Sequence, residues 1–503
     1  MASITTELEY LRLPKYRRIG HKFLNFLISI PHGIVTILFA IGRFFRNMGS
    51  RLVDAIREII YTWKDGDYKT RVSYFIFGFG NIARGQVLRG ILFLLLEIIF
   101  ILYMIFFGAG YLANIGTLGT KDAIYDPDWG TLLQPADNSF NILLFGVLSI
   151  FFILAFVVTW YFNVKQNRIA QEIIATGKPL KSGKQDLNSL VDDQFHKTLL
   201  SLPLLGILIF TVMPIFFMIL IAFTNYDAMH LSPNNRFWWI GLDNFANIFN
   251  VGGGSKFAST FSEILVWTLV WAFFATFTNY FLGMVVAMII NKKGIKFKKV
   301  WRTVLVLSIA IPQFISLLYV GRMFARNGLI NSILMDTLHW IDKPLPFWED
   351  MWWARVTVII VNIWIGIPYL MLITSGILMN IPADLYESAR IDGASPVKMY
   401  FKITLPYMLF VTGPYLLSSF IGNMNNFNVI FLLNGGEPKD QMLQGDTGHT
   451  DLLITWLFKL TVSGTPDYKM ASVIGILVFV VVSVISVVVY NIIPSMKNEE
   501  DFQ

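Results

Sequence analysis

The sequence predicts an all-α polytopic membrane protein with about eight transmembrane helices, the last six of which form a core. Of its 503 residues, 55% are hydrophobic and 15% are charged, and its mean hydropathy of +0.58 is too high for an ordinary soluble protein. Eight apolar runs are long enough to cross a bilayer core of about 30 Å. These runs are residues 90–112, 141–164, 198–223, 262–290, 303–321, 356–378, 407–433 and 471–493.

Basic residues predict the orientation of these spans. Beyond the first span, one set of loops carries 16 Lys and Arg in 83 residues, against 10 in 137 on the opposite side. The positive-inside rule places the basic set in the cytoplasm. Residues 1–89 carry 14 more, so we expect them on the same side and both termini in the cytoplasm. The inward loops are then residues 165–197, 291–302, 379–406 and 494–503.

Composition and motifs argue against several functions. The net charge of +7 reflects the inward loops, and no basic and aromatic module indicates a nucleic-acid partner. The lack of cysteine excludes disulfides and thiol chemistry. The sequence has no Gly-x-x-x-x-Gly-Lys-Ser/Thr phosphate loop, and Gly78-x-Gly80-x-x-Ala83 lacks the strand and helix context of a dinucleotide site. We therefore expect no catalytic residue, cofactor, metal site or ATP hydrolysis in this chain.

Residues 1–89 are predicted to be a cytoplasmic or interfacial region. Met1–Lys22 is polar and basic and does not resemble a cleavable signal peptide. Leu24–Gly42 is apolar but interrupted by Pro31-His32, and as a ninth crossing it would invert everything after it. An interfacial or re-entrant segment is therefore preferred. An in-plane helix would then follow, with an apolar stripe of Leu52, Ile56, Ile59, Ile60 and Trp63 and with Arg51, Arg57 and Lys64 off the stripe.

The rest of the chain is predicted to fall into four parts. Two peripheral transmembrane helices are followed by a polar, Lys-rich cytoplasmic linker, a six-helix core and a short cytoplasmic tail. These parts are residues 90–164, 165–197, 198–493 and 494–503.

The run at residues 407–433 is unusually polar, with four Asn among residues 423–428. An unpaired amide in hydrocarbon costs several kcal/mol, so these side chains need partners. On one continuous helix Ser419, Asn423 and Asn426 would form a stripe that could line a cavity for an uncharged polyhydroxy ligand. Alternatively, the amides join neighbouring helices, and spacing alone does not separate the two interpretations.

The loop at 379–406 is predicted to be a helix, a sharp bend and a second helix. Pro382 can begin the first helix, and Asp384 places negative charge where the helix dipole favours it. Gly393 can end that helix in the left-handed conformation, and Ser395-Pro396 is typical of the cap and first residue of the next one.

The same loop carries a family resemblance. Glu387-Ser388-Ala389, three residues, Gly393, nine residues and Ile403-x-Leu405-Pro406 closely resemble the cytoplasmic signature loop of ABC-importer membrane subunits. Ser388 stands where that family usually has Ala, a substitution of one small residue for another. The resemblance implies that the last six spans are the ABC-importer permease core. It also implies that Glu387, Ser388, Ala389 and Gly393 contact a separate ATPase subunit.

Residues 356–493 resemble, more narrowly, the larger membrane subunit of bacterial maltose and maltodextrin importers. In that family the helices flanking the signature loop hold the sugar. A well-known member of that family has an aromatic residue at the position of Gly422, which this chain lacks. The segments that carry the resemblance are Trp364–Tyr369, Phe401–Pro406, Asn425–Phe427, Leu433–Gly436 and Thr450–Leu453. The implied substrate-binding residues are Gly366, Tyr369, Ser419, Asn423 and Asn426.

The resemblance implies an assembly in the bacterial cell membrane. The chain would form half of a pore with a second permease subunit, bind a homodimeric ATP-binding subunit and receive maltose or maltodextrin from an extracellular solute-binding protein. The 38-residue outward loop at 224–261 is too short for the large domain that grips this protein in relatives from double-membrane bacteria.

Three alternatives stay open. Another neutral oligosaccharide or a glycoside could be the cargo. An ion-coupled secondary sugar transporter would need acids at membrane depth, where Glu97 is the one candidate. A membrane-bound glycan-processing enzyme would need paired acids or a metal site, for which the sequence gives no convincing pattern.

Overall fold

A computed structural model describes residues 39, 42–249, 255–292, 294–462 and 464–492, and it is almost entirely helical. The described residues form two compact units. The N-terminal unit comprises Phe39–Asn244 with Asp467–Ser472, and the C-terminal unit comprises Phe245–Pro466 with the residues from Val473 onward. The all-α prediction is confirmed.

The first helices belong to the N-terminal unit, where a two-stranded antiparallel hairpin joins two long helices. These elements are α1 (42–65), α2 (Tyr68–Val72), α3 (Phe79–Ile82), α4 (Val87–Asn114), β1 (Ile124–Tyr125), β2 (Leu132–Gln134), α5 (Ser139–Ala175), α6 (Gly183–Val191) and α7 (Phe195–Ile221). Residues 24–38, 40 and 41 of the expected interfacial segment lie outside the described residues.

The helices that follow along the chain lie wholly or mostly in the C-terminal unit. They are α8 (Asp243–Phe249), α9 (Lys256–Asn291), α10 (Lys298–Ala310), α11 (Gln313–Met323), α12 (Leu329–Ser332), α13 (Met351–Leu378), α14 (Ala383–Ile391), α15 (Pro396–Met424), α16 (Phe427–Leu433), α17 (Leu453–Val462) and α18 (Tyr468–Ile492). Short π-helical turns interrupt α4 and α7, extend α12 and lie near the start of α15.

Within the described chain, seven helices are long and apolar enough to cross a membrane. The predicted span at 303–321 is not one straight helix, because α10 and α11 meet at an angle of 92°. Pro312 explains the break: the residue before a proline avoids the helical region, and Ile311 is extended. The span count reaches the predicted eight if this bent pair counts as one span.

The predicted span at 407–433 is also interrupted. Helix α15 ends at Met424, and α16 begins only at Phe427. Asn426 occupies the break, where its side chain accepts a hydrogen bond from the amide of Val429 and so caps α16. One continuous polar stripe through Ser419, Asn423 and Asn426 is therefore wrong, because the third residue lies beyond the helix end.

Buried amides hold the N-terminal unit together. Asn163 of α5 accepts a hydrogen bond from the amide of Gly78 and donates one to the carbonyl of Ser73. One turn later Asn167 donates to the side chain of Asn81. Glu97, the acid at membrane depth, accepts from the amide of Phe77 at 2.8 Å. These side chains supply the hydrogen bonds that the surrounding hydrocarbon cannot.

The C-terminal unit is built on the packing of α9 against α13. Trp267 and Trp271 of α9 are buried with Val358 and Val361 of α13, and Leu317 of α11 completes the cluster. Because these helices are packed through large apolar side chains, they form the scaffold on which the neighbouring loops are positioned.

A buried ion pair organises the segment between α16 and α17. Asp451 is completely buried and pairs with Lys459 at 2.7 Å. Lys459 also donates to the carbonyl of Gly435, and Asp451 accepts from the amide of Gly448. Burial raises the pKa of Asp451, although Lys459 and the hydrogen bonds oppose that shift.

We expect Lys459→Met to destabilise the C-terminal unit strongly. It leaves the carboxylate of Asp451 buried without its cation, which typically costs about 3–5 kcal/mol. Lys439→Met is the matched control, because Lys439 pairs with Asp446 where both side chains are about half exposed, and such pairs contribute about 0–1 kcal/mol. Apparent melting temperatures of the purified protein in detergent measure the difference, and equal melting of the two variants would contradict this role for the buried pair.

Candidate functional site

The loop at 379–406 has the predicted helix, bend and helix. Pro382 precedes the first helical residue of α14 rather than occupying it, a shift of one position. Gly393 has the predicted left-handed backbone, with φ of +73°. Ser395 caps the next helix through its side chain, and Pro396 is the first residue of that helix. The loop is therefore a compact element with a fixed turn.

The residues implied to contact an ATPase lie on the surface of this element. Glu387, Ser388 and Gly393 are exposed, and Ala389 is partly buried. Apolar side chains around them are also exposed, which is unusual for a loop expected to face water. They are Leu385, Ile391, Val397 and Phe401, and Ile391 is 86% exposed.

A series of side-chain contacts connects this loop to the membrane helices. The hydroxyl of Tyr386 is hydrogen-bonded to that of Thr404 at 2.8 Å, which fixes α14 against the start of α15. One turn before Thr404 on α15, the hydroxyl of Tyr400 lies 3.8 Å from the sulfur of Met284 on α9. These contacts join the loop to two long helices.

The same two helices are joined again at membrane depth. Tyr280 of α9 is hydrogen-bonded to Thr412 of α15 at 2.8 Å. Further along, Asn423 donates its amide to the hydroxyl of Thr276 at 3.0 Å. Directly bonded helices therefore connect the loop to Asn423.

Two helices, α13 and α15, carry four of the five predicted substrate residues. Gly366 and Tyr369 lie one turn apart on α13, and the side chain of Tyr369 is about half exposed. On α15 the hydroxyl of Tyr415 interacts with Ser419, and Tyr415 also lies close enough to Tyr369 for electrostatic interaction. The phenol and hydroxyl groups are thus clustered.

Asn423 and Asn426 both have protein partners. Asn423 donates to α9, as described, and its oxygen accepts from the amide of Asn426 at 3.4 Å. Asn426 in turn caps α16. Each side chain is only partly buried, so the amides join helices while remaining partly accessible. These contacts fit the interhelical interpretation, and the partial exposure keeps the cavity interpretation open.

Sequence reasoning missed a buried pair of amides beside Gly366. Asn279 of α9 packs so closely on Gly366 that a Cβ atom there would overlap its amide. The Nδ2 of Asn279 is 3.4 Å from the carbonyl of Asn362, but its Oδ1 and the Nδ2 of Asn362 have no hydrogen-bond partner among the described residues. Asn279 has the single amide side chain in the apolar run 262–290, and that was the available signal. Buried amide atoms without partners are costly and mark a place where a polar ligand or water fits.

A cavity of about 330 Å³ lies where α10 and α11 meet. It is near the lower end of the range of small-ligand pockets, about 300–1,000 Å³. Apolar side chains form part of its wall, which also contains hydroxyl, amide and aromatic groups. These groups are Ser308, Gln313, Ser316, Trp364 and Tyr369. Only Tyr369 was predicted, because the other residues meet only when the helix breaks at Pro312.

The described residues contain no group of three or more His, Asp or Glu side chains arranged to hold a metal ion.

The chain is similar to several known transport proteins. The family model for the binding-protein-dependent transport system inner membrane component matches residues 279–497. The maltodextrin permease protein MalC of Streptococcus pneumoniae serotype 4 is 33% identical over 84% of this chain and 95% of its own length. MdxF, a maltodextrin permease protein of Bacillus subtilis, is 31% identical over 84% of this chain and 95% of its own length. The galactooligosaccharide permease protein GanP of Bacillus subtilis is 35% identical over 84% of this chain and 96% of its own length.

We expect Gly366→Ala to destabilise the site because its Cβ would displace the side chain of Asn279. Overpacking of this kind costs about 1–3 kcal/mol. Gly376→Ala on the same helix is the control, because nothing lies within 4 Å of that added Cβ. Combining Gly366→Ala with Asn279→Ala should cost less than the sum of the two changes. Apparent melting temperatures of the four variants test this coupling, and strict additivity would show that the two residues do not compete for space.

Proposed function

This chain belongs to the family of binding-protein-dependent transport system inner membrane components, and from that premise we propose that it is one permease subunit of an ATP-driven maltodextrin importer. It would form half of the translocation pore with a second, similar subunit. A homodimeric ATPase would bind its cytoplasmic loop, and a solute-binding protein would deliver sugar from outside the bacterial cell membrane. The observation that carries this proposal is the compact, exposed element formed by residues 379–406.

The exposed apolar surface of this element supports its role as a docking site. Ile391 and Val397 lie on either side of the turn at Gly393, and both are largely exposed. Insertion into a cleft of an ATPase subunit would bury this surface. Because Tyr386 fixes α14 to α15, closure of the ATPase would move the membrane helices as well. The pore would then alternate between inward-open and outward-open states.

The chemistry of the site supports a neutral sugar as the cargo. Hydroxyl and amide groups both donate and accept hydrogen bonds, as sugar hydroxyls require. Trp364 and Tyr369 are each about half exposed, so their rings could lie against the apolar face of a sugar ring. We propose that sugar passes Gly366, Tyr369, Ser419, Asn423 and Asn426. The aromatic surface of Trp364 would partly replace the ring that Gly422 does not supply.

A second cargo has a specific observation in its favour. GanP, named for galactooligosaccharide transport, is as similar to this chain as the maltodextrin relatives are. Galactooligosaccharides offer the same kinds of hydroxyl groups, so a site lined by amides could accept either sugar. Maltodextrin is preferred because two of the three relatives described above are named for it. The chain also contains the segments that resemble maltose and maltodextrin importers.

The ion-coupled alternative has little support in the residues. Glu97 was the one acid available for coupling, and its carboxylate is 8% exposed and bonded to the amide of Phe77. A carboxylate bonded in this way already has a hydrogen-bond partner within the protein. We propose that its role is to position the segment around Phe77 rather than to carry ions.

The first test is ATPase coupling. The chain is purified with its co-expressed partners, and ATP hydrolysis in lipid is measured with and without binding protein and maltodextrin. Gly393→Pro should abolish stimulation, because proline cannot adopt the positive φ at this turn. Gly294→Pro is the matched control, since Gly294 also has a positive φ but lies in the turn between α9 and α10. If no ATPase copurifies and an ion gradient alone drives sugar uptake, the importer proposal is wrong.

The second test separates cargo binding from assembly. Asn423→Ala and Asn426→Ala should reduce uptake of maltodextrin into proteoliposomes by about tenfold or more if two or more hydrogen bonds to sugar are lost, at roughly 0.5–1.5 kcal/mol each. Asn425→Ala is the control, because the side chain of Asn425 bonds only to a carbonyl of its own helix. Size-exclusion chromatography monitors assembly, and loss of the complex would favour the interhelical interpretation instead. Uptake of galactooligosaccharide but not maltodextrin by wild type would overturn the proposed cargo.

A further inference from the structure

Helix α1 has three distinct faces. An α-helix turns by about 100° per residue, which determines which side chains of α1 share a face. The first face contains Thr62, which is buried, and is directed toward α5. The carboxylate of Glu58 accepts a hydrogen bond from the hydroxyl of Tyr161 at 2.7 Å and pairs with Lys165 at 3.4 Å. The guanidinium of Arg168 lies 4.8 Å from the ring centre of Tyr61. These contacts fix α1 along α5.

The contacts also set the depth of α1. Tyr161 and Lys165 lie where the apolar run of α5 ends and its polar extension begins. A second attachment is supplied by Tyr74, whose hydroxyl donates to the carbonyl of Ile59 at 2.7 Å and whose ring packs edge-on against Trp63. Helix α1 is therefore held at the edge of the membrane-spanning region.

The second face of α1 is apolar and exposed. Its large side chains have no covering element among the described residues. Contact with lipid explains an exposed apolar stripe on a helix at this depth. The side chains are Phe45, Leu52, Ile56, Ile60 and Trp63, with exposed fractions of 42–62%.

The third face is basic and borders the apolar one. Arg46 and Lys64 share one angular position on the helix, and Arg57 lies within about 20° of it. Ile60 is about 40° from Lys64, so the charges line the edge of the apolar stripe. All three basic side chains are exposed, and Arg57 has only a weak contact of 3.8 Å to Asp54.

We propose that α1 lies in the inner membrane surface and binds anionic phospholipid headgroups through Arg46, Arg57 and Lys64. The cytoplasmic leaflet carries negative charge, and each nearby Lys or Arg strengthens the attraction. Charge complementarity and the exposed apolar stripe beside the basic side chains together identify the occupant as lipid. The inference rests on the orientation proposed for this chain, but not on its cargo or its coupling to an ATPase.

The absence of cysteine allows a local test in the full-length protein. A bimane fluorophore is attached at Ile60→Cys, and the protein is reconstituted into phosphatidylcholine and phosphatidylglycerol vesicles in which one lipid is brominated. Quenching by brominated phosphatidylglycerol should exceed quenching by brominated phosphatidylcholine by about threefold at equal mole fraction. The excess should fall as salt is raised. A label at Asn47→Cys, on the opposite side of the helix, should be quenched weakly by both lipids.

Charge substitution identifies the source of the preference. In Arg46→Gln/Arg57→Gln/Lys64→Gln, the ratio of quenching by brominated phosphatidylglycerol to quenching by brominated phosphatidylcholine should fall to about one. Lys178→Gln/Lys181→Gln/Lys184→Gln removes the same charge from the exposed segment after α5 and should leave the ratio unchanged.

Two outcomes would overturn the proposal. If Ile60→Cys is not quenched by either lipid, α1 does not lie on the membrane and its apolar face is covered by something else, such as protein. If both lipids quench it equally in wild type at low salt, the helix lies on lipid without recognising anionic headgroups. ATPase coupling measured on the same labelled preparations distinguishes failure of this inference from failure of the importer proposal.

Discussion

Hydrocarbon offers no hydrogen bonds, so each polar group at membrane depth needs a partner from the protein. This requirement organises both units. In the N-terminal unit, Asn163 and Asn167 bind backbone and side-chain groups of the segment between α2 and α4. In the C-terminal unit, the contacts of Thr276 with Asn423 and of Tyr280 with Thr412 join α9 to α15. The same polar groups that could disrupt a membrane helix therefore determine which helices pack together.

The two helix breaks must also satisfy this constraint. A broken helix exposes backbone groups, which membrane proteins tolerate where the break is buried in protein or lines a cavity. The bend at Pro312 lies beside the cavity that also contains Tyr369. At the break after Met424, the side chain of Asn426 caps the following helix by accepting a hydrogen bond from a backbone amide. Polar groups near the proposed sugar path thus serve the fold and remain partly accessible to a ligand.

The signature loop differs from the membrane helices in how it is stabilised. Its turn depends on local chemistry, since Gly393 adopts a left-handed conformation and Ser395 caps the helix that follows. Its attachment depends on the Tyr386 contact with Thr404, close to the start of α15. A rigid element attached at a helix start is suited to transmit displacement. Apolar residues such as Ile391 are exposed on this element and remain available to a partner.

The sequence by itself determined the all-α class, most of the spans, the geometry of the signature loop and the family resemblance. These properties depend on local hydropathy, helix capping and motif spacing, which are encoded within a few dozen residues. It could not establish that Ser419, Asn423 and Asn426 do not share one helix, because capping by Asn426 competes with helix continuation and the outcome depends on packing. Only the tertiary structure placed Asn279 against Gly366 and brought Gln313 near Tyr369. Those contacts join residues far apart in the chain, and their geometry is set by helix packing and by the bend at Pro312.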